Sequence, residues 1–233
     1  ELDKEKSPQQ YGIGFKEIWE VSDKQHQEGL VMHTAGWPLD HKTYGGSFVY
    51  HAEKKQIYIG YVIGLDYQNP HLSPFDEFQR FKTHPEIRAM LQGGKRLSYG
   101  ARAISEGGLQ SLPDLIFPGG AFIGCSAGMV NVPKIKGSHN AIKSGMLAAE
   151  AAYDYFTEST NDGKRLLMEY PIKLNDSWVW KELEKVRNFK PLLSRFGNLV
   201  GGALAGVELW LSALHIKFPW TLNHQQADHD SLK

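Results

Sequence analysis

The sequence predicts an α+β protein, with strands gathered in its first third and helices in the remainder. Two blocks carry that reading. Residues 11–67 alternate and are rich in β-branched and aromatic side chains, whereas 137–156 and 175–188 carry helical spacing. With 41% hydrophobic and 12% aromatic residues, the 233-residue chain can build a packed core.

In chain order, Ile13 to Trp19 alternates roughly and Ser47-Phe48-Val49-Tyr50 is β-prone. Gln56 to Ile63 is the clearest strand, joined to the preceding one by the polar His51–Lys55 connection. Ser73 reads as an N-cap before Pro74, with Asp76 and Glu77 in the first turn of a helix reaching about Lys82. Pro85 opens another helix reaching about Met90, and Lys95–Ile104 follows as a strand. Ile116 to Gly124 reads as a short turn and a buried strand over Ala121–Ile123. Ala141, Ile142, Gly145, Met146, Ala149 and Tyr153 then fall at helical spacing, and a helix over Asn175–Asn188 carries Trp178 and Trp180.

Lysine plus arginine equals aspartate plus glutamate, 26 each, so no basic excess points to nucleic acid. The single cysteine, Cys125, excludes an internal disulfide, and an all-cysteine metal or iron–sulfur site needs about four thiolates. His33, His41, His51, His71 and His84 lack paired ligand spacing and read as surface or core residues, so no metal ligands are assigned. Cys125 reads as a packing residue, because no base–orienter pair accompanies it. The charged N-terminus without a start methionine and the polar C-terminus both look cut.

Residues 196–220 form a glycine-rich apolar stretch with Glu208 as its only acid. A spanning helix needs about 20 apolar residues, and this stretch is interrupted. It reads either as a helix lying in one leaflet, anchored by Trp210, Phe218 and Trp220, or as a buried core helix. Periodicity does not separate the two.

The densest signal is Gly119-Gly120 and Gly124-Cys125-Ser126-Ala127-Gly128, followed by Pro133, Gly137-Ser138-His139 and Lys143-Ser144-Gly145. It describes a strand, a tight glycine turn and a helix starting near Gly137, whose unpaired N–H groups suit an electron-rich ligand edge. A ligand-free, tightly packed βα unit remains the other reading. The pattern resembles the second flavin motif of glutathione-reductase-type flavoproteins. It resembles more closely the version in electron-transfer flavoprotein:ubiquinone oxidoreductases, where Gly-Cys-Ser replaces the usual aspartate. Further blocks resemble the same family: Gly36-Trp37-Pro38-Leu39-Asp40, Thr43 to Phe48, Gly64 to Pro70, Gly93 to Arg96, Gly100 to Ala103 and Ser177 to Glu182. They extend from Tyr11 to Trp220, nearly the whole chain.

The resemblance implies a β-rich ubiquinone-binding domain over 1–105, then the C-terminal lobe of an FAD domain over 106–211. The start of a truncated iron–sulfur domain would occupy 212–233. It assigns the quinone head group to Tyr44, Gly45, Gly46 and Phe48, where absent Cβ atoms let a ring approach and a backbone N–H can meet a carbonyl. It assigns the flavin to Gly124, Cys125, Ser126, Gly128, Gly137, Ser138 and His139. Monotopic membrane contact through the segment at about 196–220 falls to Leu204, Trp210, Leu211, Phe218 and Trp220. The implied activity passes electrons from electron-transfer flavoprotein, through a [4Fe–4S] cluster and FAD, to ubiquinone. The implied place is a bacterial cytoplasmic membrane or the matrix side of the mitochondrial inner membrane. Neither a G-x-G-x-x-G fingerprint nor the family's four cluster cysteines occurs here, so the isolated chain is expected to be inactive. Another flavin-dependent reductase of the superfamily would lack the Trp-Pro-Leu-Asp and Tyr-Gly-Gly blocks. A non-enzymatic membrane-docking fragment is the remaining alternative.

Overall fold

The computed structural model describes residues 2–158, 167–214, 216 and 218–232. It divides into two compact units, one of residues 11–104 with 228–232, the other of residues 2–10 with 105–227. The first ten residues, assigned from sequence to the sheet, therefore belong to the second unit.

The first unit is a five-stranded sheet of β1 (Tyr11–Glu20), β2 (Val31–Ala35), β3 (Gly45–His51), β4 (Gln56–Gly64) and β5 (Lys95–Ser105). Its spatial order is β2-β3-β4-β1-β5, and β1, β2, β3 and β4 pair antiparallel. In β4, Ile57, Ile59, Tyr61 and Ile63 all point to one face and are fully buried. Two helices cover that face, α1 (Pro74–Phe81) and α2 (Pro85–Leu91), through Phe78, Phe81, Ile87 and Leu91. Ser73 caps α1 by accepting from the Asp76 N–H at 3.3 Å, and prolines open both helices, as the sequence predicts.

The second unit is mostly helical. It contains the hairpin of β6 (Ile116–Phe117) and β7 (Gly120–Ala121), the short α3 (Gly124–Ala127) and the long α4 (Ser138–Glu158). These are followed by α5 (Glu169–Asp176), α6 (Trp178–Val186) and α7 (Phe189–Ala213). Leu147, Ala151, Tyr170, Leu174, Val179 and Leu183 form its core with Leu112, Leu115, Ala127 and Met129. The Tyr170 hydroxyl donates to the Phe122 carbonyl at 3.0 Å, and burial pushes it up to about 12.

Three sequence expectations need correction. The buried strand over Ala121–Ile123 is instead a two-residue hairpin arm, and Ile123 is exposed. The single helix over Asn175–Asn188 is two, because the Ser177 hydroxyl caps a new start by accepting from the Val179 N–H. The apolar stripe of Ile142, Met146 and Tyr153 that signals α4 lies exposed; Asn140, Ser144, Leu147 and Ala151 form the buried face.

Helix α7 is broken at Gly197, whose φ of 72° and ψ of 175° are non-helical. The second segment returns against the first, and a Cβ on Gly201 would lie 2.3 Å from the Leu192 carbonyl oxygen. Gly201 and Ala205 are buried at this crossing, while Leu199, Val200, Leu204, Val207 and Trp210 face outward. The segment is therefore no buried core helix. No helix among the described residues is long and apolar enough to cross a membrane.

Candidate functional site

Tyr44-Gly45-Gly46 forms the entry to β3, an interior strand, and not a hairpin turn. The chain reaches it through a loop fixed by Asp40, whose carboxylate accepts from the Lys42 N–H at 3.0 Å and the Thr43 N–H at 2.8 Å. Burial opposes the Asp40 charge, but these bonds outweigh it and hold the carboxyl below its usual range. The Leu39 N–H closes the same loop onto the Gly36 carbonyl.

Both glycines are required by the sheet itself. A Cβ on Gly45 would lie 2.5 Å from Leu39 Cδ1 and 2.6 Å from the Val62 oxygen; one on Gly46 would lie 2.4 Å from the Thr34 oxygen. The missing side chains are thus filled by protein, and only backbone is offered to a ligand. Alternation then distinguishes the two. The Gly64 N–H donates to the Tyr44 carbonyl, so Tyr44 and Gly46 spend their backbone groups on β4. Gly45 points the other way, toward β2, whose pairing with β3 ends at Ala35 opposite Gly46. The Gly45 N–H is therefore aimed past the end of a strand. Phe48 lies on the face opposite the helices. Its ring covers Gly60, where a Cβ would approach within 2.3 Å, and stacks at 5.0 Å from the ring of Tyr50.

In the second unit the glycine-rich loop meets the start of α4. Gly124 has φ of +54° and its Cβ would lie 2.7 Å from Ala141 Cβ; Gly128 has φ of +88°. The buried Ser144 hydroxyl accepts from the Gly124 N–H at 3.0 Å, and buried Asn140 donates to the Met129 carbonyl at 3.0 Å. Within this junction Cys125 and Gly137 are half-buried, and Ser126 and Ser138 are exposed, Ser138 in the first turn of a 21-residue helix. A backbone turned toward solvent at a long helix N-terminus fits the electron-rich edge of a flavin.

His139 is held by a residue that sequence reading gave no role. Glu182 on α6 accepts from His139 Nε2 at 2.7 Å, from Asn131 Nδ2 at 2.8 Å and from Lys134 Nζ at 3.1 Å. Burial alone would raise this carboxyl, but the three donors and the Lys134 charge hold it at about 2. An ionised carboxylate only accepts, so His139 Nε2 is the donor. The imidazole also stacks on Trp178, rings 5.7 Å apart and 3° from parallel. The only hint in sequence was that Trp178 and Glu182 share one helix face, four residues apart. Gln9 was missed as well; its amide oxygen accepts from the Gly107 N–H at 2.7 Å, and its Nε2 would sit 2.9 Å from a Cβ on Gly128.

On α7, Leu204 and Trp210 are 44% and 65% exposed and Leu211 is half-buried; beyond its end Trp220 is 51% exposed and Phe218 half-buried. Glu208 turns inward, accepting from Asn188 Nδ2 at 2.7 Å, and burial raises its carboxyl. The one acid of the stretch therefore does not interrupt its apolar face. Lys217 lies outside the described residues. Among those residues no group of three or more His, Cys, Asp or Glu could hold a metal ion.

Two solved structures share this fold. A geranylgeranyl bacteriochlorophyll reductase-like protein from Thermoplasma acidophilum matches with a TM-score of 0.58 at 15% identity, over 95% of this chain and 51% of that one. The flavin-dependent brominase Bmp2, as a triple mutant, matches at 0.54 and 15%, over 88% and 50%. The architecture is thus shared with these two proteins. Residues 11–104, the sheet unit, match the family described as ETF-QO, ubiquinone-binding. Mitochondrial electron transfer flavoprotein–ubiquinone oxidoreductase from Rattus norvegicus is 52% identical over 231 residues, and that from Arabidopsis thaliana 52% over 223. These matches cover 97% and 96% of this chain. The chain spans 37% and 34% of the two relatives' lengths.

Proposed function

We propose that the protein carrying this chain passes electrons from reduced electron-transfer flavoprotein, by way of a [4Fe–4S] cluster and FAD, to ubiquinone at an inner membrane. In this reading the chain supplies the quinone and flavin side, with the single Cys125 leaving cluster ligation to other polypeptide. The observation that carries the reading is the match of the whole sheet unit to a ubiquinone-binding family, within a chain half identical to named oxidoreductases.

FAD, when bound, supplies the electrons that turn quinone into quinol. The chain's own residues bind and orient. The Gly45 N–H, aimed past the end of β2, donates to a quinone carbonyl oxygen and stabilises the negative charge that builds there before protonation. Tyr44, the Gly46 backbone and the Phe48 ring complete the head-group surface. On the flavin side, Gly124 and Gly128 shape the turn, Cys125, Ser126 and Gly137 present backbone, and the Ser138 hydroxyl and the Glu182-anchored His139 offer donors. The outward face of α7, with Leu204 and Trp210 at its surface and Leu211 behind, rests in one leaflet together with Phe218 and Trp220 beyond the helix end. A quinone with a long apolar tail can then enter without leaving lipid.

The test is a chimaera in which these 233 residues replace the matched stretch of the rat relative. Reduced electron-transfer flavoprotein should then reduce a short-chain ubiquinone. A folded, flavin-loaded chimaera that fails to reduce it, while the rat protein succeeds in parallel, contradicts the proposal.

A further inference from the structure

The longest strand of the sheet lies at its rim. β5 spans 11 residues, pairs on one side with β1, and has no strand on the other side among the described residues. Nine consecutive residues, 95–103, are exposed, Tyr99 to 79%. A Cβ built at Gly100 meets no atom within 4 Å. Long, open edges recruit another strand, and folded proteins normally shorten, bulge or cover them. β5 has no proline to blunt it.

Beside this edge is a cleft of about 390 Å³ bounded by β1, α1 and β5, lined by Phe15, Phe75, Phe78, Arg96, Tyr99 and Ala101. Glu17, 2% exposed, also lines it and is held between Lys82 Nζ at 2.8 Å and Arg96 Nη1 at 3.2 Å. That carboxylate is spent on its own cations. The edge itself carries Lys95, Arg96 and Arg102 and no acid.

A bare strand edge flanked by an aromatic cleft is the geometry by which an extended peptide is captured. Backbone bonds hold it, and alternate side chains fill the cleft. We propose that β5 receives a sixth strand, an extended segment bearing apolar and acidic side chains, from polypeptide outside these 233 residues. The relatives carry most of their length outside the matched stretch, so such a segment is at hand. Positive charge on the edge selects acidic residues in it.

The proposal does not depend on where quinone or flavin bind. Its probes are overlapping synthetic peptides covering the rat relative outside the matched stretch, added to the 233-residue chain while amide exchange is followed by NMR. Peptides from one contiguous stretch should slow the outward-facing β5 amides at least about 10-fold. Tyr99→Ala should weaken that peptide roughly 10-fold by removing a cleft wall, and Arg102→Glu should weaken it most at low salt. The proposal is overturned if no peptide slows those amides, or if Tyr99→Ala leaves affinity unchanged. Protection that rises with chain concentration alone would assign the edge to a second copy and overturn it equally.

Discussion

Glu182 is the residue on which the segment between the glycine-rich loop and α4 converges. It ties α6 to Asn131, Lys134 and His139 at once. Its carboxyl lies at about 2 against an ordinary value of 4.5. A depressed carboxyl contributes stability that is complete above the unfolded value and is lost as pH falls through the folded one. Glu182→Gln should therefore cost about 1–3 kcal/mol at neutral pH. Urea midpoints of the two proteins should converge between pH 4.5 and about 2. A gap that stays constant over that window would remove the ion-pair account. Glycines give a second contrast at this scale. Gly124→Ala meets both a positive φ and Ala141, and should cost about 1–3 kcal/mol. Gly145→Ala meets only Ile123 Cδ1 at 3.6 Å and should be neutral or stabilising by up to about 1 kcal/mol. Thermal melts of both variants decide it.

At the level of elements, α1 and α7 were legible to different depths. Ser73, Pro74 and the acids behind them state where α1 begins, because capping is local chemistry. Ser73→Ala should lower stability by about 1 kcal/mol in chemical denaturation. For α7 the sequence offered an apolar stretch with two readings. Gly197 resolves it, since a left-handed φ lets the helix fold back on Gly201, and the face left over points outward. No periodicity contains that break. If the outward face rests on lipid, Leu204→Asp and Trp210→Asp should each reduce sedimentation with phosphatidylcholine vesicles at least about tenfold. Both side chains are exposed, so the melting temperature should hardly move; unchanged sedimentation would contradict the assignment.

For the whole molecule, four of the five sheet strands and the two covering helices were readable because alternation, prolines and caps are written residue by residue, whereas β2 (Val31–Ala35) was not singled out. The helical unit was less so. The α4 stripe visible in sequence is its exposed side, and its buried side is set by Asn140 and Ser144, whose partners are backbone groups of the preceding loop, 11 and 20 residues back. Likewise Tyr44-Gly45-Gly46 was visible as a motif, but only strand register shows that Gly45 and not Gly46 has its N–H directed away from β4. That distinction is the most direct test of the quinone assignment. The labelled chain titrated with a short-chain ubiquinone should show its largest amide shift at Gly45, with smaller shifts at Gly46 and Phe48 and none along β5. Shifts absent from Gly45, or centred elsewhere in the sheet, would contradict it.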